Sequence, residues 1–350
     1  MRAAARLSRR HFGLTAENPS VGALIVRNGR IIGRGVTAPG GRPHAEVIAL
    51  AEAGEAARGA TAYVTLEPCA HWGRTPPCAE ALVEVGVARV VIACPDPDSR
   101  VDGRGMSILR KMGISVEQDV AGKTALITLA PFLTRVRYER PYVLLKIAVS
   151  RDGFIGRFGE AQTRITGPIA QRQAHQMRAR ADTILVGSGT ARLDDPELTC
   201  RLPGLQDRSP MRIVLGTKGA LDPAGKLAQT AKRIPTFVAS LSEPSEELQQ
   251  LGVRGIEVQT GEEGVDLVAL MTTLVRDYAV SSLMVEGGAA VARSFLDAGL
   301  VDEIALFVGD VVLGEGVASP IAPTHVPKGF EIVRRDRFGP DTLITMRRRS

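Results

Sequence analysis

The chain has 350 residues and no stretch resembling the run of about eighteen apolar residues that marks a membrane-spanning helix. Its first residues, "MRAAARLSRRHFGLTAENP", are basic but lack an apolar segment, so no secretory signal is expected and the cytoplasm is the expected location. Four cysteines (Cys69, Cys78, Cys94 and Cys200) are too few for a disulfide framework at this length. Aromatic residues make up only 4% of the chain, and only seven of its 44 cationic side chains are lysine. The formal charge of +6 is thus mostly arginine charge, spread along the sequence. It lacks the clustered basic and aromatic residues of a nucleic-acid channel, so no nucleic-acid partner is expected. There are no internal repeats and no low-complexity tracts. A G-x-G-x-x-G is also missing, which excludes a Rossmann dinucleotide site.

The length suggests two domains. Residues 22–36, "GALIVRNGRIIGRGV", read as a hairpin turning at Asn28-Gly29. Beyond it the pattern predicts helices over 46–57, 78–85 and 104–112, and strands in "TAYVTLE", "ARVVIA" and "ISVEQDV". Residues 121–140 are less patterned, and the boundary falls near 140. The second half alternates again, with strands at 142–149, 183–187, 211–215, 235–239, 281–285 and 303–308, and two more at the end. Helices are predicted over 167–180, 264–278 and 288–298. The result is an α/β domain at residues 1–140 followed by a second at 141–350.

Cys69 and Cys78 stand out because they follow "HAE", residues 44–46. One imidazole and two thiolates make a three-ligand zinc set, which leaves a fourth position for water and lowers its pKa toward neutrality. Glu46, two residues after His44, is placed to carry protons without binding the metal. H-x-E followed by P-C-x-x-C is the signature of zinc nucleobase deaminases. Pro68-Cys69 matches it, but eight residues instead of two precede Cys78, which falls at a helix start that favours a thiolate. His71, within that insertion, is a rival ligand, although the two thiolates already complete the set. The insertion "AHWGRTPP" is either a plain loop or a lid that grips a substrate phosphate with Arg74 and His71.

Several longer stretches resemble the bifunctional riboflavin-biosynthesis deaminase–reductases. In the first half these are "NPSVGALIV", "PHAEVIAL", "GATAYVTLEPCAHWGRTPPC" and "ARVVIACPDPDSRVDGRGMSILRKMGISV". In the second half they are "LLKIAVSRDGFI", "RADTILVGSGTARLDDPELTCR" and "VEGGAAVARSFLDAGLVDE". The resemblance implies a cytidine-deaminase-like domain followed by a dihydrofolate-reductase-like domain. It also implies one zinc per chain, NADPH as the second cofactor, a pyrimidine ribosylamine phosphate as substrate, and a homo-oligomer. Under it, His44, Cys69 and Cys78 match the zinc ligands, Glu46 the proton shuttle, and Asn18 an asparagine near the pyrimidine. Ala148, Thr190, Asp194 and Thr217 match positions that contact the cofactor. So do Gly288, Ala289, Ala290, Val291, Ala292, Arg293 and Ser294, whose backbone N–H groups would hold a phosphate. Arg178, Leu198, Arg201 and Glu286 match substrate positions, and Lys146, in the first strand of the second domain, is expected to contact the sugar. The family often has Ser-x-Trp where this chain has Gln162, Thr163 and Arg164. The chain departs from the family's pattern at these three positions, which weakens the transfer there; Gln162 is carried over as a substrate position. Arg164 falls at a cofactor position, where it either stacks on the nicotinamide or contacts a phosphate. Two other readings compete: a nucleic-acid editing deaminase, and a deaminase with a non-catalytic C-terminal domain.

Overall fold

The computed structural model describes residues 1–349 except 74, 121, 162, 217–220, 262 and 263. The chain divides into two compact units, Met1–Arg140 and Pro141–Ser350.

The first unit has helices α1 (Arg2–Ser8), α2 (Ala45–Ala53), α3 (Cys78–Val85), α4 (Arg104–Lys111) and α5 (Gly122–Tyr138). Its strands are β1 (Gly22–Arg27), β2 (Arg30–Val36), β3 (Thr61–Val64), β4 (Arg89–Ile92) and β5 (Ser115–Glu117), in the sheet order β2-β1-β3-β4-β5. The hairpin β1–β2 turns at Asn28 and Gly29, both with positive φ (51° and 73°), as a tight hairpin requires. Strands β3, β4 and β5 run parallel, so the loops leaving their C-terminal ends gather on one edge.

How α2 packs decides where His44 and Glu46 stand. Ala45, Ala49 and Ala53 recur every four residues and are buried on one helix face. Opposite them on β2 are Gly33 and Gly35. A Cβ on Gly33 would lie 2.1 Å from the Ala49 carbonyl oxygen, and one on Gly35 would lie 1.8 Å from that of Ala45. Helix and strand thus meet backbone to backbone, an approach that only glycine and alanine permit.

Several elements of this unit differ from the sequence pattern: α2 ends at Ala53 rather than 57, β5 spans only Ser115–Glu117 of the expected 114–120, and two further differences have a visible cause. Strand β3 ends at Val64, not Glu67: Thr65 turns its hydroxyl to the Gly22 N–H at 3.0 Å, and the chain then leaves the sheet. Residues 122–138, which show little pattern, form a 17-residue helix with Pro131 inside it. The proline interrupts the helical signal, yet Ala125, Leu129, Phe132 and Leu133 all reach the core.

In the second unit the strands are β6 (Tyr142–Val149), β7 (Phe154–Gly156), β8 (Thr183–Gly187), β9 (Met211–Leu215), β10 (Thr236–Ser240) and β11 (Arg254–Glu257). They continue with β12 (Thr260–Gly261), β13 (Gly264–Val265), β14 (Ser282–Val285), β15 (Glu303–Val308), β16 (Val317–Ala318), β17 (Phe330–Phe338) and β18 (Asp341–Arg348). The helices are α6 (Pro168–Arg178), α7 (Ser188–Asp194), α8 (Lys226–Gln229), α9 (Glu246–Gln250), α10 (Leu267–Tyr278) and α11 (Ala289–Asp297). Among the described residues, the main sheet runs β11-β10-β9-β8-β14-β6-β15-β18-β17. Strand β14 lies between β8 and β6 and runs parallel to both.

Alternate strand residues serve opposite faces, as a period of two demands. Leu185, Ile213 and Phe237 join α10 and α11 in one core, whereas Ile184, Val186, Val214 and Val238 join α7, α8 and α9 in another. Arg212 is fully buried, and burial, the largest cause, pulls its pKa down to about 10. It donates to the carbonyls of Glu197 (3.2 Å), Leu227 (3.2 Å) and Ile234 (3.0 Å), so it ties β9 to the turns around it.

Substituting Gly35→Ala should force α2 off β2. Overpacking of this kind costs about 1–3 kcal/mol, read as a lower urea midpoint. An unchanged midpoint would show that the close approach carries no stability.

Candidate functional site

In the first unit three sequence-distant side chains converge. His44 is in extended conformation (φ −70°, ψ 159°) as the N-cap of α2. Cys78 opens α3, and Cys69 lies in the loop that follows β3. His44 Nδ1 is 3.3 Å from Cys78 Sγ and 3.6 Å from Cys69 Sγ, and the Cys78 N–H donates to Cys69 Sγ at 3.2 Å. All three candidate ligand atoms lie within 4.8 Å of one another. Zinc–ligand bonds of about 2.0–2.3 Å put tetrahedral ligands about 3.5 Å apart, so the spacing fits this ion. Their protonation fits it as well. The hydrogen bond from the Cys78 thiol, helped by His44, holds the Cys69 pKa well down against burial. That same shared proton, then burial and nearby negative charge, hold Cys78 up. Two thiolates this close share one proton unless a cation takes its place.

Glu46 sits in the first turn of α2 and is 4% exposed. Burial pushes its carboxyl up to about 7, and the charge on Cys69 adds to the rise while His44 opposes it. One residue before Pro68-Cys69, the buried Glu67 accepts backbone N–H groups from Asp96 (3.3 Å), Gly103 (3.3 Å) and Met106 (3.1 Å). It thereby ties the Cys69 loop to the start of α4. A Cβ on Gly105 would be 2.0 Å from the Pro68 carbonyl oxygen, so this helix also touches the loop directly. The sequence pattern does not single out Glu67, since its role comes from loops far along the chain.

The inserted loop is anchored by Arg42, whose guanidinium donates to the Thr75 hydroxyl. Among the described residues His71 Nδ1 is buried without a hydrogen-bond partner, whereas Trp72 is 70% exposed. Arg74 lies outside the described residues. Asn18 packs against Gly41, where a Cβ would be 2.2 Å from Asn18 Nδ2.

The second unit has a different cluster. Glu286 follows β14, and its side chain is 7% exposed. Arg178, the last residue of α6, binds it with both arms of its fork, Nε to Oε1 at 2.6 Å and Nη2 to Oε2 at 3.0 Å. Lys146, on the neighbouring β6, donates to Oε2 at 3.2 Å. Burial alone would raise the Glu286 pKa, but Arg178 and Lys146 overcome it and hold the carboxyl well below the usual carboxylate range. Arg178 Nη1 also reaches the Thr199 carbonyl at 3.2 Å. Lys146, Arg178 and Glu286 are thus joined to the segment that carries Leu198 and Arg201. Leu198 is 3% exposed and adopts φ 53°. The Arg201 side chain is 54% exposed and reaches Glu197 Oε2 at 2.9 Å.

Helices α7 and α11 begin at the C-terminal ends of the adjacent strands β8 and β14, and each starts at a glycine with no side-chain cap. A Cβ on Gly187 would lie 2.7 Å from the Val291 side chain, and one on Gly287 2.6 Å, so both turns need glycine. The Thr190 hydroxyl is beside Gly288, at 3.4 Å from where a Cβ would be. The uncapped N–H groups over Gly288–Val291 therefore form a start that fits an anionic group such as a cofactor phosphate. Ala292 is buried in the core, whereas Arg293 and Ser294 are exposed. Ala148 is on β6, opposite Phe307, and Asp194 ends α7. Arg164 is exposed, while Gln162 and Thr217 fall outside the described residues.

Residues 1–94 match the family described as the cytidine and deoxycytidylate deaminase zinc-binding region. Residues 141–344 match the RibD C-terminal domain. The chain is 36% identical to the riboflavin biosynthesis protein RibD of Aquifex aeolicus, over 99% of this chain and 97% of that one. It is 39% identical to the RibD of Escherichia coli, over 90% and 88%. The solved structure of Acinetobacter baumannii RibD is similar at 35% identity and a TM-score of 0.87, covering 100% of this chain and 98% of that one. A Thermotoga maritima diaminohydroxyphosphoribosylaminopyrimidine deaminase/5-amino-6-(5-phosphoribosylamino)uracil reductase is similar at 33% identity and a TM-score of 0.88, covering 99% and 97%. With both halves matched in order, the chain belongs to the RibD family of riboflavin-biosynthesis proteins, a deaminase domain followed by a RibD reductase domain.

Proposed function

We propose that the chain carries out two consecutive steps on a pyrimidine ribosylamine phosphate. The first unit removes the 2-amino group of the diaminopyrimidinone by hydrolysis, and the second reduces the ribosyl group to ribityl with NADPH. The observation that carries this reading is the convergence of His44, Cys69 and Cys78 beside the buried Glu46.

His44, Cys69 and Cys78 would hold the zinc. When bound, it supplies Lewis-acid activation of water near neutral pH. Glu46 moves the protons. Buried beside the ligand set, it takes the two protons of the attacking water in turn and passes one to the ring nitrogen and one to the departing amino nitrogen, so ammonia leaves and a carbonyl remains. Asn18 is proposed to contact the ring, and His71 with Arg74 the phosphate.

In the second unit NADPH supplies the hydride. The N–H groups of Gly288–Val291 hold a cofactor phosphate, with Thr190, Asp194, Ala148, Thr217 and Arg164 as further contacts. Ala292, Arg293 and Ser294 drop out of that cradle, because beyond the first turn the helix uses its own N–H groups, that of Ala292 donating to the Gly288 carbonyl at 3.1 Å. Lys146, aimed by Glu286, faces the sugar, and Arg178, Leu198, Arg201 and Gln162 bind the rest of the substrate. A homo-oligomer in the cytoplasm completes the proposal. Relatives that span both halves do not favour a nucleic-acid editing module.

The purified chain should hold about one zinc, lost in Cys69→Ser and in Cys78→Ser by elemental analysis. Glu46→Gln should keep the zinc but slow ammonia release by about 10²–10⁴-fold, the range of general acid–base catalysis. Reduction of the deaminated intermediate should survive in that variant. Its loss in a folded protein would contradict two separate sites.

Arg201→Ala should raise the KM of reduction about ten- to a hundred-fold, the effect of losing a charge-assisted bond to phosphate, and leave NADPH affinity unchanged. An unchanged KM would remove Arg201 as the anchor.

Glu286→Gln leaves two cations without their partner, so it should cost about 3–5 kcal/mol near neutral pH. Because the folded carboxyl is depressed, its stabilisation is present above the unfolded value of 4.5 and fades as pH falls below it. Urea midpoints of wild type and variant should therefore converge on acidification. A constant gap would contradict the assignment.

A further inference from the structure

The substrate segment of the second unit is fixed by a histidine that the proposed reaction does not use. Leu198, at φ 53°, holds a left-handed conformation that costs energy in a residue with a side chain. Such a residue persists only where its neighbours are held. The Glu197 carbonyl is held by Arg212 Nη1 at 3.2 Å, and the Thr199 carbonyl by Arg178 Nη1 at 3.2 Å. The third hold is His175, one turn before Arg178 on α6. Its Nδ1 is 3.1 Å from the Thr199 carbonyl oxygen, and the Arg201 N–H points at the same nitrogen from 3.4 Å.

One ring nitrogen cannot serve both groups. As Nδ1–H it would donate to Thr199, and as a bare lone pair it would accept from Arg201. Thr199 already has a donor in Arg178, whereas the acceptor placed before the Arg201 amide is His175. The tautomer with its proton on Nε2 therefore leaves neither group unpaired, and the repulsion between the Nδ1 lone pair and the Thr199 oxygen at 3.1 Å is offset by the Arg178 Nη1–H that donates to that same oxygen. Burial, with Arg178 and Arg201 nearby, lowers the His175 pKa against the opposing pull of the Thr199 carbonyl and Glu286, and favours a neutral ring.

The geometry points to His175 as a positioning residue of the reduction site: its neutral Nδ1 accepts the Arg201 amide and so sets where Leu198 to Arg201 stand against Arg178. This rests on the reading of the second unit given under Proposed function.

Two measurements on the full chain test it. In protein labelled with ¹⁵N-histidine, with the signal assigned by its loss in His175→Asn, Nδ1 of His175 should give a pyridine-type resonance. A pyrrole-type Nδ1–H signal would overturn the inference. His175→Leu should raise the KM for the deaminated ribosylamine phosphate about five- to tenfold, the effect of one lost hydrogen bond, with kcat and NADPH affinity nearly unchanged. In His175→Asn the side-chain oxygen takes the place of Nδ1 as acceptor, so KM should return to within about twofold of wild type. A wild-type KM in His175→Leu, or an equal defect in both variants, would overturn it. Should His175→Leu fail to fold, the resonance and the KM of His175→Asn decide. A wild-type chain that reduces nothing would sink the reading of the site, while the resonance would still test the contact.

Discussion

A carboxylate withdrawn from water has to be met by donors or give up its charge, and three buried glutamates in this chain meet that demand differently. Glu67 is met by three backbone N–H groups and so ties two loops together. Glu286 is met by Arg178 and Lys146 and so draws α6, β6 and the end of β14 into one site. Among the described residues Glu46 is met by a histidine and two thiols rather than by an arginine or lysine, and burial pushes its carboxyl up to about 7. The first two arrangements hold the structure in place. The third leaves a group able to take and release protons, and it stands next to the metal-ligand set.

In both units the parallel strands of the sheet locate the chemistry. Cys69 and Asp96 follow the C-terminal ends of neighbouring parallel strands, β3 and β4, and Glu67 ties the two loops together. In the second unit β14 is inserted between β8 and β6, so Glu286 and the starts of α7 and α11 come together at the ends of the two adjacent strands β8 and β14. This is where open α/β sheets present ligand sites, because chain direction and helix N-termini point there together. The close contact of α2 with Gly33 and Gly35 carries the same logic in the first unit, for it sets where His44 begins its helix.

The sequence displayed the metal-ligand set plainly because few residue types bind zinc, and here they came in order around a proline and a helix start. The glycines and alanines that bring α2 onto β2 were visible, but their facing was not. Helix α5 was hidden by Pro131, although its apolar residues were in place to reach the core. Glu67, His175 and Arg212 were not legible as site residues. Each looks ordinary along the chain and gains its role from partners far away, Glu67 from residues 96–106, His175 from Thr199 and Arg201, and Arg212 from Glu197.

The central claim is that one chain holds two chemistries acting in sequence on one molecule. The most direct test is to give the purified chain the diaminopyrimidinone ribosylamine phosphate, first without and then with NADPH, and to read the products by mass. Without NADPH the expected product has exchanged an exocyclic NH for O and released ammonia. With NADPH it should also carry two additional hydrogens. A product that never gains those hydrogens, or that retains its nitrogen under both conditions, would contradict the two-step assignment.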